Sequence, residues 1–524
     1  MKSIEPRQLK DALHDGGEFA LLDVREAGQF GESHLLFATP VPYSILEAEA
    51  TRLVPRNSTR IVLCDEDGGD LAALAAKRLH AAGYTDVARL EGGNRGWAGA
   101  GYALFKGVNV PSKLFGEMVE HACHTPRVTV SELARMRAAG ENFVVVDGRP
   151  YSEYTKMNIP GGICCPNAEL PYRIRELVKD PATKIIVNCA GRTRSIMGAQ
   201  TLINFGVPNP VYALENGTQG WVLADFELER GATRRYPERI DEGALPGLRA
   251  QARAMMEKSS VRAVAAREVE RWLADPLRTT VLLDVRTPEE FGAGTVPGAA
   301  HAPGGQLIQA TDQWVAVRNA RLVLIDSEGV RAAVVASWLK QLGCDAWVLE
   351  DGIRSGLKGA PPRTLELPRL PSITAAELKR ALDAGKCTAL DLGASMSFRK
   401  AHVPGSRWST RARLARDAGQ PTGETVLVCD ELDRARAAAV ELLESGATAV
   451  KWLAGGLAAW TKAGYPTEAS PGTPSDADCI DYLFFVHDRH AGNREAMRQY
   501  LAWETGLMAQ LDDQDRASFR ITAP

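Results

Sequence analysis

No stretch of the chain approaches the roughly 18 to 20 consecutive apolar residues needed to cross a bilayer, and the residues from Met1 to Lys10 hold no apolar core of signal-peptide length. A bilayer-spanning helix is excluded, and a cytoplasmic protein without a membrane partner is expected. Neither sign of charge dominates: 62 Lys and Arg against 65 Asp and Glu leave a net charge of −3. That balance supplies no broad basic surface for a phosphate backbone, so nucleic acid is not an expected partner. Cysteines are few, nine in 524 residues, odd in number and scattered, which excludes a secreted disulfide framework. Apart from the vicinal pair Cys164 and Cys165, none has a second Cys or His at zinc-site spacing, so no metal is expected. What remains is ordinary globular composition, 45% hydrophobic and 24% charged, in a length that predicts about three to five domains.

Self-similarity organises that length. An apolar run ending in Asp, followed two residues later by Arg, recurs at Asp23 and Arg25, Asp147 and Arg149, and Asp284 and Arg286; a fourth copy keeps Asp391 but has Gly393 in place of the Arg. A Pro-Gly element follows at Pro160-Gly161, Pro297-Gly298 and Pro404-Gly405, degenerate in the first copy at His34. Next comes a strand-like run ending at Cys64, Cys189, Asp326 and Cys429, at spacings of 41, 42, 42 and 38 residues from the first Asp. Each copy closes on a Gly with Trp four residues on: Gly93 and Trp97, Gly217 and Trp221, Gly456 and Trp460, eroded to Gly352 and Gly356 in the third. Short buried-strand runs alternating with amphipathic helices, as over 70–82, 194–205, 331–342 and 434–445, predict an α/β fold with a parallel sheet and helices on both faces. The stretches 107–126, 236–260 and 358–371 read as linkers, the second containing a helix over 248–258. Beyond the repeats, Met497, Tyr500, Leu501, Met508 and Leu511 fall near one helical face. That helix is expected to pack on the array or on a second subunit, which leaves a homodimer open.

The four strand-to-helix loops differ where chemistry would sit. The second reads Cys189-Ala190-Gly191-Arg192-Thr193-Arg194-Ser195 and opens into a helix. A cysteine there lies where unpaired backbone N–H groups and the helix dipole favour an anion, and two arginines add positive potential. These effects are expected to lower the thiol pKa from about 8.5 toward neutrality. Cys64 and Cys429 are instead followed by carboxylates, at Asp65, Glu66 and Asp67 and at Asp430, Glu431 and Asp433, which disfavour a thiolate. The third copy has Asp326 and no thiol.

Together these landmarks resemble the rhodanese family of sulfurtransferases. The resemblance implies four tandem rhodanese-like domains, each a small mainly parallel sheet with helices on both faces. These are domain 1 (1–107, degenerate acidic loop at Cys64), domain 2 (126–232, active, Cys189), domain 3 (261–358, inactive, Asp326) and domain 4 (372–468, degenerate acidic loop at Cys429), with a C-terminal helical extension over 475–524. It further implies that the loop cysteine accepts a sulfane sulfur from thiosulfate or a related anionic donor, holds it as a persulfide and passes it to a thiol or cyanide, with no metal or organic cofactor. Cys189 would be catalytic and Ala190 to Ser195 would bind substrate, Arg192 and Arg194 pairing with the oxyanion end. The related dual-specificity phosphatases need Arg six residues after Cys; here that position is Ser195, so the shorter loop fits sulfur better.

In the same family Asp147 and Arg149 look architectural. Gly217 and Trp221 would pack the last turn against the sheet, with Glu215 and Asn216 edging the pocket. Cys164 or Cys165 could serve as a resolving thiol, against the plain reading of inert buried cysteines. The alternative to an enzyme is a rhodanese-like binding or reactive-sulfur-sensing array with little turnover.

Overall fold

The computed structural model describes residues 2–361, 363–418 and 423–522. The chain forms two compact units, one of residues 1–10, 20–108 and 362–484, the other of 11–19, 109–361 and 485–524. The first unit thus holds copies one and four, the second copies two and three.

All four copies are built alike. In the second, five parallel strands lie in the order Arg127–Val128, Val211–Leu214, Lys184–Asn188, Phe143–Asp147, Ile163–Cys164. The third repeats this as Arg262–Val264, Asp345–Leu349, Arg321–Ile325, Thr280–Asp284, Ala300–His301, and the fourth as Ser372–Ile373, Val450–Leu453, Glu424–Val428, Cys387–Asp391, Arg407–Trp408. In the first, Lys2–Ile4, Val87–Leu90, Ile61–Cys64, Phe19–Asp23 and Thr39–Pro40 pair in that order. Central strands such as Ile185-Ile186-Val187 are buried on both faces, as a helix-covered parallel sheet requires.

The register fixes which residue begins each loop. Asp147 pairs with Asn188, Asp284 with Ile325, Asp391 with Val428 and Asp23 with Cys64. The residue one step beyond the strand is therefore Cys189, Asp326, Cys429 and, in the first copy, Asp65. This corrects the placement of the first loop at Cys64. Cys64 is the last strand residue, fully buried, with its Sγ 3.6 Å from Leu22 O, and burial pushes its thiol well above the ordinary range. The spacing of 41 rather than 42 residues already carried this one-residue slip.

Two segments beyond the repeats are more ordered than linkers. The first holds a helix over Val110–Cys123 with Val110, Leu114, Phe115 and Val119 buried. The second holds a helix over Leu245–Lys258, three residues longer than expected because Pro246 suits the first helical turn. The C-terminal segment carries the Arg494–Gly506 helix. Among the described residues no helix is long and apolar enough to cross a membrane.

Candidate active site

The strand Lys184–Asn188 delivers Cys189 to a loop that enters the helix Thr193–Asn204. Cys189 is 2% exposed, and its Sγ lies 3.6 Å from Ser195 Oγ. The Ser195 hydroxyl is itself tied to Arg192 O at 2.8 Å. Behind the loop, Gly217 is required: its φ is +51°, and a Cβ there would stand 2.2 Å from the Cys189 carbonyl oxygen. Thr218 N–H donates to that oxygen at 2.9 Å. Trp221 packs on Phe226, and its Nε1–H donates to Glu227 O.

The third copy displays what the loop is shaped to hold. Asp326 accepts N–H bonds from Gly329 at 2.8 Å and from Val330 and Ala332 at 2.9 Å each. In the first copy Asp65 likewise accepts from Gly68 and Ala72. Both copies place a carboxylate, two bonds beyond Cβ, in a nest of backbone donors. At the first two of the third copy's offsets the second copy has Arg192 and Thr193, whose N–H groups meet no acceptor among the described residues. The loop of the second copy is one residue shorter, its helix starting four residues after Cys189 where that of the third starts five after Asp326, and the residue that opens it is a thiol instead of an acid.

Both arginines of the loop are held by carboxylates. Arg192 makes a bidentate pair with Glu117, Nε to Oε1 at 2.7 Å and Nη2 to Oε2 at 2.9 Å, and a further bond to Glu120. Arg194 pairs bidentately with Glu153 at 2.8 and 2.9 Å. The local sequence is basic, but carboxylates brought from a helix 75 residues away and from Glu153 satisfy the guanidiniums. Arg192→Ala is therefore expected to act on stability before it acts on donor affinity. Burial already pushes Glu117 up, so that it can take a proton when Arg192 is gone, which limits the loss to about 1–3 kcal/mol. Urea unfolding set beside calorimetric titration with thiosulfate as a probe anion checks this; binding in the native chain that is lost in the variant at unchanged stability would restore the oxyanion role.

The C-terminal helix completes the surroundings. Glu504, buried, accepts the Thr193 hydroxyl hydrogen bond at 2.7 Å and lies 3.5 Å from Lys113 Nζ. Lys113 Nζ also donates to Tyr500 Oη. A Cβ on Gly191 would come within 3.2 Å of Glu504 Oε2 and 3.7 Å of the Tyr500 ring. Lys113, Glu117, Tyr500 and Glu504 are site residues that the repeat pattern does not reveal.

The remaining candidates fall in place around this core. Arg149 clamps Asp147 through Nε at 2.9 Å and Nη2 at 2.7 Å, and Asn188 Nδ2 adds a bond at 2.9 Å, a buried tie between strand end and loop. Asn216 takes a left-handed φ of 61° at the turn, and Glu215 Oε2 sits 3.8 Å from Arg127. Cys164 packs against Tyr154 and Ala232, its Sγ 3.6 Å from Arg149 O. Burial pushes the Cys164 thiol up to about 12 and holds that of Cys165 well above the ordinary range, which opposes a nucleophilic resolving role for either.

A family model described as the rhodanese-like domain matches residues 5–100, 129–224, 265–358 and 374–463. A crystal structure of thiosulfate sulfurtransferase from Pseudomonas aeruginosa is 42% identical, covers 100% of both chains and superposes with a TM-score of 0.94. Among curated proteins, the HTH-type transcriptional regulator Rv0324 of Mycobacterium tuberculosis is 36% identical over 105 residues, 20% of this chain and 45% of the relative. The "Probable adenylyltransferase/sulfurtransferase MoeZ" of the same organism is 33% identical over 97 residues, 18% of this chain and 24% of the relative. The chain spans less than half the length of either curated relative.

Proposed function

Because the chain belongs to the rhodanese-like family, we propose that it moves a sulfane sulfur from thiosulfate or a related donor to a thiophilic acceptor, cyanide or a thiol, through a persulfide on Cys189. Likeness over its whole length to a thiosulfate sulfurtransferase, and over 97 residues to a probable adenylyltransferase/sulfurtransferase, supports a transferase. The carrying observation is the cradle. The backbone position that presents a carboxylate to inward N–H groups in the third copy presents a thiol in the second, with the N–H groups of Arg192 and Thr193 at the helix start left open.

The Cys189 thiolate attacks the outer sulfur of thiosulfate, the S–S bond breaks, and sulfite leaves with the bonding pair. The new terminal sulfur then lies where Asp326 places its oxygens, its negative charge met by the N–H groups of Arg192 and Thr193. The acceptor attacks that sulfur, and Cys189 Sγ departs as thiolate. Sulfur is carried covalently throughout, so neither step calls on a metal or organic cofactor. Arg192 and Arg194 hold the loop in shape through their carboxylate partners.

Intact-protein mass spectrometry after thiosulfate exposure tests the carrier: native protein should gain one reducible sulfur, and Cys189→Ser should lose that addition. Persistence of the full addition in the variant would overturn the assignment. The burial of Cys189 and the pairing of both arginines also suit a second reading, a reactive-sulfur sensor that forms the persulfide but turns over slowly. Steady-state sulfite release with cyanide separates the two.

A further inference from the structure

The fourth copy departs from its sisters at two linked positions. In copies two and three the Arg two residues after the strand Asp fills the space beside the loop, as Arg149 and Arg286 do. The Glu six residues after that Asp clamps the Arg five beyond the loop position, Glu153 on Arg194 and Glu290 on Arg331. In copy four these two side chains are Gly393 and Ser397. Their loss leaves a cavity of about 270 Å³ beside Cys429. Arg434, the counterpart of Arg194, lines it without that clamp. Its Nη1 donates to Leu392 O at 3.1 Å, and its Nε, without a hydrogen bond, lies 3.5 Å from the exposed carboxylate of Glu431.

The lining divides by chemistry. Asp391, Asp430, Glu431 and Arg434 are its charged groups, Glu431 lying 3.5 Å from Arg434, while Phe398, Val428 and Leu457 join Cys429 as a soft apolar wall. A second cavity of about 230 Å³ meets the first at Gly393, Ala394 and Arg434 and adds Glu26 and Asp481, so the guanidinium stands between two sets of carboxylates. A small dianion such as thiosulfate is repelled by this acid-rich lining. Burial pushes the Cys429 thiol up to about 12, so it is a polarizable contact and a poor nucleophile. One cation and several carboxylates flanking an apolar wall complement a zwitterion with a soft side chain. The volume, at the low end for ligand pockets, suits a molecule of amino-acid size.

We propose that the cavity of the fourth copy binds a small sulfur-bearing α-amino acid, its carboxylate on Arg434, its ammonium toward Asp391 and Glu431, and its side chain against Cys429 and Leu457. This site is separate from the transfer chemistry at Cys189, and its test is independent of that reading. Isothermal titration of the full-length Cys189→Ser chain under reducing conditions, with L-cysteine, cysteamine, 3-mercaptopropionate and thiosulfate as probes, examines each charge in turn. L-cysteine should bind. Cysteamine, lacking the carboxylate, and 3-mercaptopropionate, lacking the ammonium, should each bind about tenfold more weakly or worse, and thiosulfate should not compete. Gly393→Arg and Ser397→Glu, which restore the side chains of the sister copies, should each abolish L-cysteine binding while thermal melts show a folded chain. Absence of L-cysteine binding, equal binding of either truncated probe, competition by thiosulfate, or undiminished binding in both refilled variants would overturn the proposal.

Discussion

Cys189→Asp is expected to fold at least as stably as Cys189→Ser and to lose sulfur transfer by about 10³-fold or more. Two copies of the same fold already carry this arrangement: Asp326 and Asp65 sit one residue beyond the central strand and turn their carboxylates onto the loop N–H groups. A carboxylate at position 189 would meet the open donors of Arg192 and Thr193, whereas serine is too short to reach them. It cannot attack a sulfane sulfur to form a persulfide, so the stabilised variant is also the inactive one. The advantage over serine should shrink as pH rises. Burial and the neighbouring Glu328 push Asp326 up to about 7, and a carboxyl raised in the folded state favours folding less as pH climbs from its unfolded value through its folded one. In the second copy Gly191 stands in place of Glu328, but the Glu504 carboxylate approaches Gly191, so the lift should have the same sign. Cyanide-coupled turnover and melts of the two variants between pH 5 and pH 8 (roughly the range in which most proteins are most stable) check this. Cys189→Asp melting below Cys189→Ser across that range would refute the cradle.

The four copies are legible in the sequence because their landmarks answer to backbone demands. Asp147 and Arg149 must tie a strand end to its loop, and Gly217 must leave the Cys189 carbonyl room; such residues recur at fixed spacing. The slip at Cys64 arose where chemical identity outweighed spacing, since a cysteine one residue early looked like the nucleophile of the second copy. The charge of the loop is hidden from the sequence for a different reason. Arg192 and Arg194 are local, but the groups that answer them, Glu117, Glu120 and Glu153, come from other elements. The helix Val110–Cys123 reads as a linker because Pro111, Gly116, His121 and His124 interrupt its pattern, although Leu114, Phe115 and Val119 are buried. In the C-terminal helix the apolar face correctly singles out Met497 and Tyr500, both buried. Apolar periodicity is blind to Glu504, the residue of that helix that bonds the loop, because a carboxylate enters a core only when a tertiary partner waits for it.

Glu504→Ala is expected to destabilise the second unit by about 3–5 kcal/mol, because it leaves Lys113 buried and charged beside an empty space. Glu504 is 1% exposed and Lys113 7%, and the carboxylate also holds the Thr193 hydroxyl. Lys113, Thr193 and nearby arginines keep the Glu504 carboxyl below the usual range against the opposing effect of burial. Its contribution is therefore present above the unfolded carboxylate pKa and lost as pH falls through the depressed folded value. Glu504→Gln, which still accepts from Thr193 but carries no charge, should fall between native and alanine. A Lys113→Met, Glu504→Met pair should recover most of the loss, since a buried ion pair replaced whole costs far less than one broken. Hydrogen exchange of the Arg494–Gly506 helix amides reports this junction where a global transition of two units would not. Sulfur transfer should weaken with it, because Thr193 supplies one of the cradle N–H groups and would lose its anchor. A Glu504→Ala chain within about 1 kcal/mol of native, the ordinary range for exposed pairs, would show that the C-terminal helix merely covers the loop and does not brace it.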